Sequence, residues 1–107
     1  MATMSQIASA TIRNATERTR KLYENSADKT PLSPDESRLF AYLDESAKGL
    51  AVPSARTEET LVWYGNAMCA IGLLQGMGIT KKRFTVEEAR REMHEMYGEF
   101  TEAAYHG

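Results

Sequence analysis

The stretch TLVWYGNAMCAIGLLQGMGIT, residues 60–80, constrains this chain most, because none of its 21 positions carries a charge. A segment of that length and polarity either crosses a bilayer or is covered on most sides by protein. Against a membrane span, Asn66 and Gln75 would sit in hydrocarbon, and the glycines at 65, 72, 76 and 78 weaken an isolated helix. Lys81, Lys82 and Arg83 follow the stretch, but the other segments offer apolar stripes that need a partner. The expectation is therefore a fully covered core helix in a water-soluble domain, with no membrane partner.

At about 100° per residue, Trp63, Ala67, Ala70 and Leu74 share one side of this helix, while Gly65, Cys69, Gly72 and Gly76 share the other. Both sides are built to pack, and small residues let a second backbone come close. Three other short helices can hardly surround it. Self-association is thus expected, most simply as a twofold dimer through Gly65, Cys69, Gly72 and Gly76.

The remaining segments also read as helices. Thr3 and Gln6 fit a capping box, after which Met4, Ile7, Ala8, Thr11, Ala15 and Leu22 fall on one face as far as about Tyr23. Ser33-Pro34-Asp35-Glu36 is a strong start signal, combining a capping hydroxyl, a proline whose missing N–H costs nothing there, and a glutamate that reaches back. Leu39, Phe40, Leu43, Ala47 and Leu50 form its stripe, with Gly49 as the expected stop. Ser54 or Thr57 is the expected cap of the third helix, which is expected to end near Met77. Thr85 and Glu88 form another capping box, Phe84 and Ala89 can staple the turn, and Val86, Ala89, Met93, Met96, Tyr97, Phe100 and Ala104 make the last stripe. No segment alternates as a strand does. The expected architecture is all-α, one domain over residues 1–107, a compact bundle of four helices.

Composition narrows the function classes. The net charge of −2 gives the molecule no general attraction to nucleic acid or anionic lipid. Its single cysteine, Cys69, cannot form an internal disulfide, and the N-terminal residues lack the basic-then-apolar order of a secretory signal, which points to a reducing, cytoplasmic compartment. Asn14-Ala15-Thr16 matches a glycosylation acceptor, a triplet frequent by chance. Catalytic groups do not converge in the pattern: His94 and His106 are the only histidines, the residue three before His94 is Arg91 where a dinuclear carboxylate site wants glutamate, and there is no phosphate loop or nucleophile elbow. Metal ligation by His94 with Glu87 or Glu95 is the weaker alternative to solvated side chains. Cys69 reads as an inert small hydrophobe, and Met68, Met77, Met93 and Met96 as core filler. No enzyme activity and no cofactor are expected.

Charge patterning then offers three features. Glu88, Glu92, Glu95, Glu99 and Glu102 recur at the spacing of one helix face. Such an acidic rail either meets a basic partner, for example a protein with a nucleic-acid groove, or faces Arg13, Arg18, Arg20 and Lys21 of the first helix, or is solvated. Lys81, Lys82 and Arg83 beside Phe84, together with Arg18, form an alternative anion site suited to a small ligand such as a nucleotide. Arg18 is expected to lay its stem along the core and reach water. These features predict a non-catalytic helical adaptor or small inhibitor that self-associates and engages a basic protein partner through the acidic face, with ligand capture or a structural subunit as alternatives.

Overall fold

A computed structural model describes residues 3–26, 28–52, 56–92, 94, 95 and 98. Among these residues there are four helices and no strand. The helices are α1 (Met4–Glu24), α2 (Pro34–Leu50), α3 (Thr57–Thr80) and α4, which is described over residues 86–92, 94, 95 and 98. Helices α1, α2 and α3 pack pairwise around one core made of Ile12, Ala15, Phe40, Leu43, Leu50, Ala67, Ile71 and Leu74.

Three of the helix starts are fixed by reciprocal caps. Gln6 N donates to Thr3 Oγ1 at 3.2 Å while Thr3 N donates to Gln6 Oε1 at 3.0 Å. The Ser33–Glu36 and Thr85–Glu88 pairs repeat the exchange at α2 and α4, so each box satisfies two backbone donors that the helix itself leaves open. Helix α3 differs: its N-cap is Arg56, without a side-chain bond, in place of Ser54 or Thr57. Glu58 and Glu59 in its first turn supply the favourable charge instead. Helix α2 runs past Gly49 to Leu50, and α3 past Met77 to Thr80.

The inner face of α1 is more hydroxylic than its apolar pattern suggested. Ser5, Ser9, Thr11, Ile12, Thr16 and Thr19 are buried, whereas Met4 is exposed and Ile7 only half-buried. Small hydroxylated side chains can enter the core because they carry their own partners: Thr16 and Thr19 donate to the carbonyls of Ile12 and Ala15 one turn back. Ser9 donates to Ala47 O at 2.5 Å and Ser5 to Leu50 O at 2.7 Å. Those are among the last carbonyls of α2; Ala47 O also accepts from Ala51 N at 3.1 Å, so α1 adds side-chain donors to the end of α2.

The turn after α3 is a Schellman motif. Arg83 N donates to Gly78 O at 2.7 Å and Lys82 N to Ile79 O at 3.0 Å, with Lys82 in the left-handed region at φ 58°. Glycine normally takes that place. The turn folds Phe84 back over Gly78, where an added Cβ would stand 2.2 Å from the ring. Phe84 is buried edge-on to Tyr23, which is edge-on to Phe40 (both centroid separations 5.4 Å). Gly78 is therefore a packing requirement of this corner.

One expectation is corrected here. Helix α3 is covered on one side only: Ala67, Ala70, Ile71 and Leu74 are buried, while Gly65, Cys69, Gly72 and Gly76 lie at the surface. Helices α1 and α2, which pack against it, close only one flank of a helix this long. Among the described residues no helix is long and apolar enough to cross a membrane.

Candidate functional site

The acidic face of α4 is tied to the chain that carries it. Glu88 accepts from Thr85 N and Oγ1 as half of the helix cap. Arg18, projecting from α1, hydrogen-bonds Glu95 and stands 3.5 Å from Glu92. Its guanidinium thus ends on carboxylates of α4 rather than in open water, which corrects the expectation for Arg18, and among the four basic residues of α1 named as possible neighbours of the rail it is Arg18 that meets Glu92 and Glu95. Arg20 turns to Asp44 (2.8 Å) and Glu17 (3.3 Å). Glu99 and Glu102 lie outside the described residues, as do Met93, Met96, Tyr97, Phe100, Ala104 and His106.

The basic residues suggested for an anion are not brought together. Arg18 meets α4, whereas Lys81 and Arg83 turn inward to Glu36, and Lys82 stays exposed. Glu36, fully buried at the first turn of α2, accepts from Ser33 N and from Lys81 Nζ at 2.9 Å each. Arg83 Nη2 donates to its Oε1 at 3.2 Å, and Arg83 Nε stands 3.2 Å from Oε2 without hydrogen-bond alignment. The other guanidinium donors reach the carbonyls of Thr30 (2.9 Å) and Pro31 (3.2 Å), fastening residues 30–31 to the end of α3. Burial works to raise the pKa of Glu36, but the Ser33 amide, Lys81 and the nearby Tyr23 hydroxyl outweigh it and hold the carboxyl at about 2. Burial, reinforced by that carboxylate, pushes the Tyr23 phenol above its ordinary value, and its hydroxyl donates to Leu74 O at 2.7 Å. Both cations are committed to a buried counter-charge, so Glu36 occupies the place a free anion would take.

Sequence reasoning missed a cleft beside this node. It measures about 680 Å³, and its walls include Arg20, Tyr23, Pro31, Phe40, Asp44 and Arg83. Arg20 lies 5.0 Å over Phe40 and Arg83 5.2 Å over Tyr23, an arrangement of cations over ring faces. The volume is that of a small-molecule site. The signal for it was the burial of Glu36 at a helix start, which periodicity does not expose.

The outer face of α3 has the opposite character. Leu61, Val62 and Leu73 are 64%, 61% and 56% exposed, and nothing lies within 4 Å of a Cβ built at Gly65, Gly72 or Gly76. A depression of about 360 Å³ runs along Gly72, Leu73, Gly76, Met77, Thr80 and Lys81. Cys69 stands on this face at the surface, not in the core as its apolar neighbours suggested. Trp63 lies half out of the core, stacked on Tyr42 at 6.3 Å. Isolated exposed apolar residues are ordinary, but these share one uncharged helix face with the open glycines. Among the described residues no cluster of three or more potential metal ligands occurs.

No protein-family model matches this chain, and neither a curated protein nor a solved structure shows significant similarity to it.

Proposed function

We propose that the protein is a non-catalytic helical binding protein that works as a self-associated unit, with the outer face of α3 as its first contact surface. The observation that carries this reading is the exposure of Leu61, Val62 and Leu73 around open glycines on a helix with no charge from Thr60 to Thr80. Covering such a face removes apolar area from water at roughly 25 cal/mol per Å², and nothing described in the chain does so. The acidic face of α4 is the second surface, offered to a protein partner with a basic groove. Glu88 and Glu95 are exposed there and Glu92 is half-buried, with Arg18 set against Glu92 and Glu95. Sedimentation velocity from micromolar to millimolar protein tests the first surface. A concentration-dependent shift to a larger species is expected, and a monomer throughout would remove the reading.

A second reading rests on the cleft of Arg20, Tyr23, Phe40 and Arg83. Two guanidinium groups over two rings suit a planar anion such as a nucleotide. Titration calorimetry with a nucleoside triphosphate should then give saturable heat that Arg20→Gln abolishes. The self-association reading is preferred because Arg20 and Arg83 already have carboxylate partners in Asp44 and Glu36.

A further inference from the structure

The outer face of α3 is complementary to itself in one direction only. Resting on the proposed self-association, we infer that the occupant of this face is a second copy of the same helix, crossing antiparallel with the twofold axis at Cys69.

In that register each residue lies opposite the one equally far on the other side of Cys69. Leu73, the exposed knob on the C-terminal side, then faces Gly65 of the other copy, where a side chain would meet nothing within 4 Å. Val62 faces Gly76, another open glycine, at the depression lined by Gly72, Gly76 and Met77. Two of the three large exposed side chains are thus matched to a glycine, and the third, Leu61, faces the half-buried Met77. Knobs seated in holes are how close helix pairs gain contact area. A parallel pair would put Leu73 against Leu73 and glycine against glycine, leaving clashes and gaps in alternation.

The charges at the two ends give the same direction. Glu58 and Glu59 stand exposed at the start of α3, and Lys82 at its end. The antiparallel register sets Glu58 beside the turn that carries Lys82. A parallel register would align like charges at both ends. Opposed helix dipoles favour the antiparallel pair as well.

The contact from Val62 to Gly76 spans about 21 Å of helix. A helix pair of that length sits toward the small end of specific interfaces, about 1,200 Å² in total. A reversible dimer with micromolar dissociation is expected.

The test is a single-cysteine scan read by mild oxidation to a disulfide, with light scattering on the same samples. The native protein carries its cysteine at the dyad, so it should form a covalent dimer. In a Cys69→Ser background, a lone cysteine at Val62 or Leu73 should not, because residue 73 of one copy lies about 12 Å along the axis from residue 73 of the other. Cysteines introduced together at 65 and 73 should join two chains. If light scattering shows a dimer in which the lone cysteines at 62 and 73 oxidise as readily as Cys69, the antiparallel register is overturned while self-association stands. If the native protein is monomeric at millimolar concentration and Cys69 does not oxidise to a dimer, both fall.

Discussion

Two regions of this molecule reverse the usual distribution of polarity. Around Glu36 and Arg83 a carboxylate and a guanidinium are withdrawn from water. Along the outer side of α3, Leu61, Val62 and Leu73 stand in it. The buried charges find their partners inside the chain, in Ser33, Lys81, Thr30 and Pro31, and so belong to the architecture. The exposed apolar side chains find none among the described residues. What the fold satisfies internally holds the fold together, and what it leaves exposed is where the proposed contact would form.

The largest expected effect separates the two regions. Arg83→Met removes the buried one of the two cations on Glu36 together with the bonds to Thr30 and Pro31, and such a change should cost about 3–5 kcal/mol of stability in urea unfolding. Leu73→Glu should leave the urea midpoint of the monomer nearly unchanged while abolishing any larger species in sedimentation. Equal stability losses from both would erase the distinction.

Acid should act on one region alone. The Glu36 pKa lies at about 2, below the ordinary 4.5. A lowered folded-state value means that its contribution is complete above about pH 4.5 and is lost as the pH falls toward 2. The loss is on the order of 3 kcal/mol. Stability measured across pH 2–7 should therefore drop through the acid limb, and Glu36→Gln should flatten that limb. An acid limb unchanged by Glu36→Gln would transfer the dependence to other carboxylates.

The glycines sharpen the contrast at smaller scale. Gly78→Ala drives a methyl group into the Phe84 ring, 2.2 Å away, and should cost about 2 kcal/mol or more. Gly65→Ala meets nothing within 4 Å and should stabilise the monomer by about 0.5–1 kcal/mol through helix propensity. The same alanine begins to fill the hole proposed for Leu73, so it should weaken self-association. Calorimetric melting and sedimentation on the two variants separate these effects.

The smallest effect belongs to the acidic face. Glu92→Gln with Glu95→Gln removes both contacts of Arg18 to α4 that lie within the described residues. Partly exposed pairs of this kind are worth about 0–1 kcal/mol. A small drop in melting temperature with unchanged capture of a basic partner would make the face structural. Unchanged melting with slower, less salt-dependent association would make it a contact surface.

Helix positions were legible in the sequence because they are written locally: three capping boxes and a proline at a first turn specify starts within four residues. The inner side of α3 was legible for the same reason, since Ala67, Ala70 and Leu74 recur at helical spacing. What was not legible depends on distant partners. Arg83 reads as one of three solvated basic residues until a buried carboxylate 47 positions earlier is placed against it. Helix α3 reads as covered all round because composition cannot say which side of an apolar helix has neighbours. Ser5 and Ser9 stand outside the apolar stripe read for α1, yet both are buried where they meet carbonyls of another helix.

The separation between Glu36 and its cations also orders events during synthesis. A chain elongating from its N-terminus makes α2 before Lys81 and Arg83 exist, 45 and 47 residues later. In that interval Ser33 can cap the helix, but burying the ionised Glu36 would strand a charge in the core. Packing that encloses Glu36 is therefore expected to wait for the turn after α3, where Lys81 and Arg83 together supply the counter-charge and Arg83 pins residues 30–31.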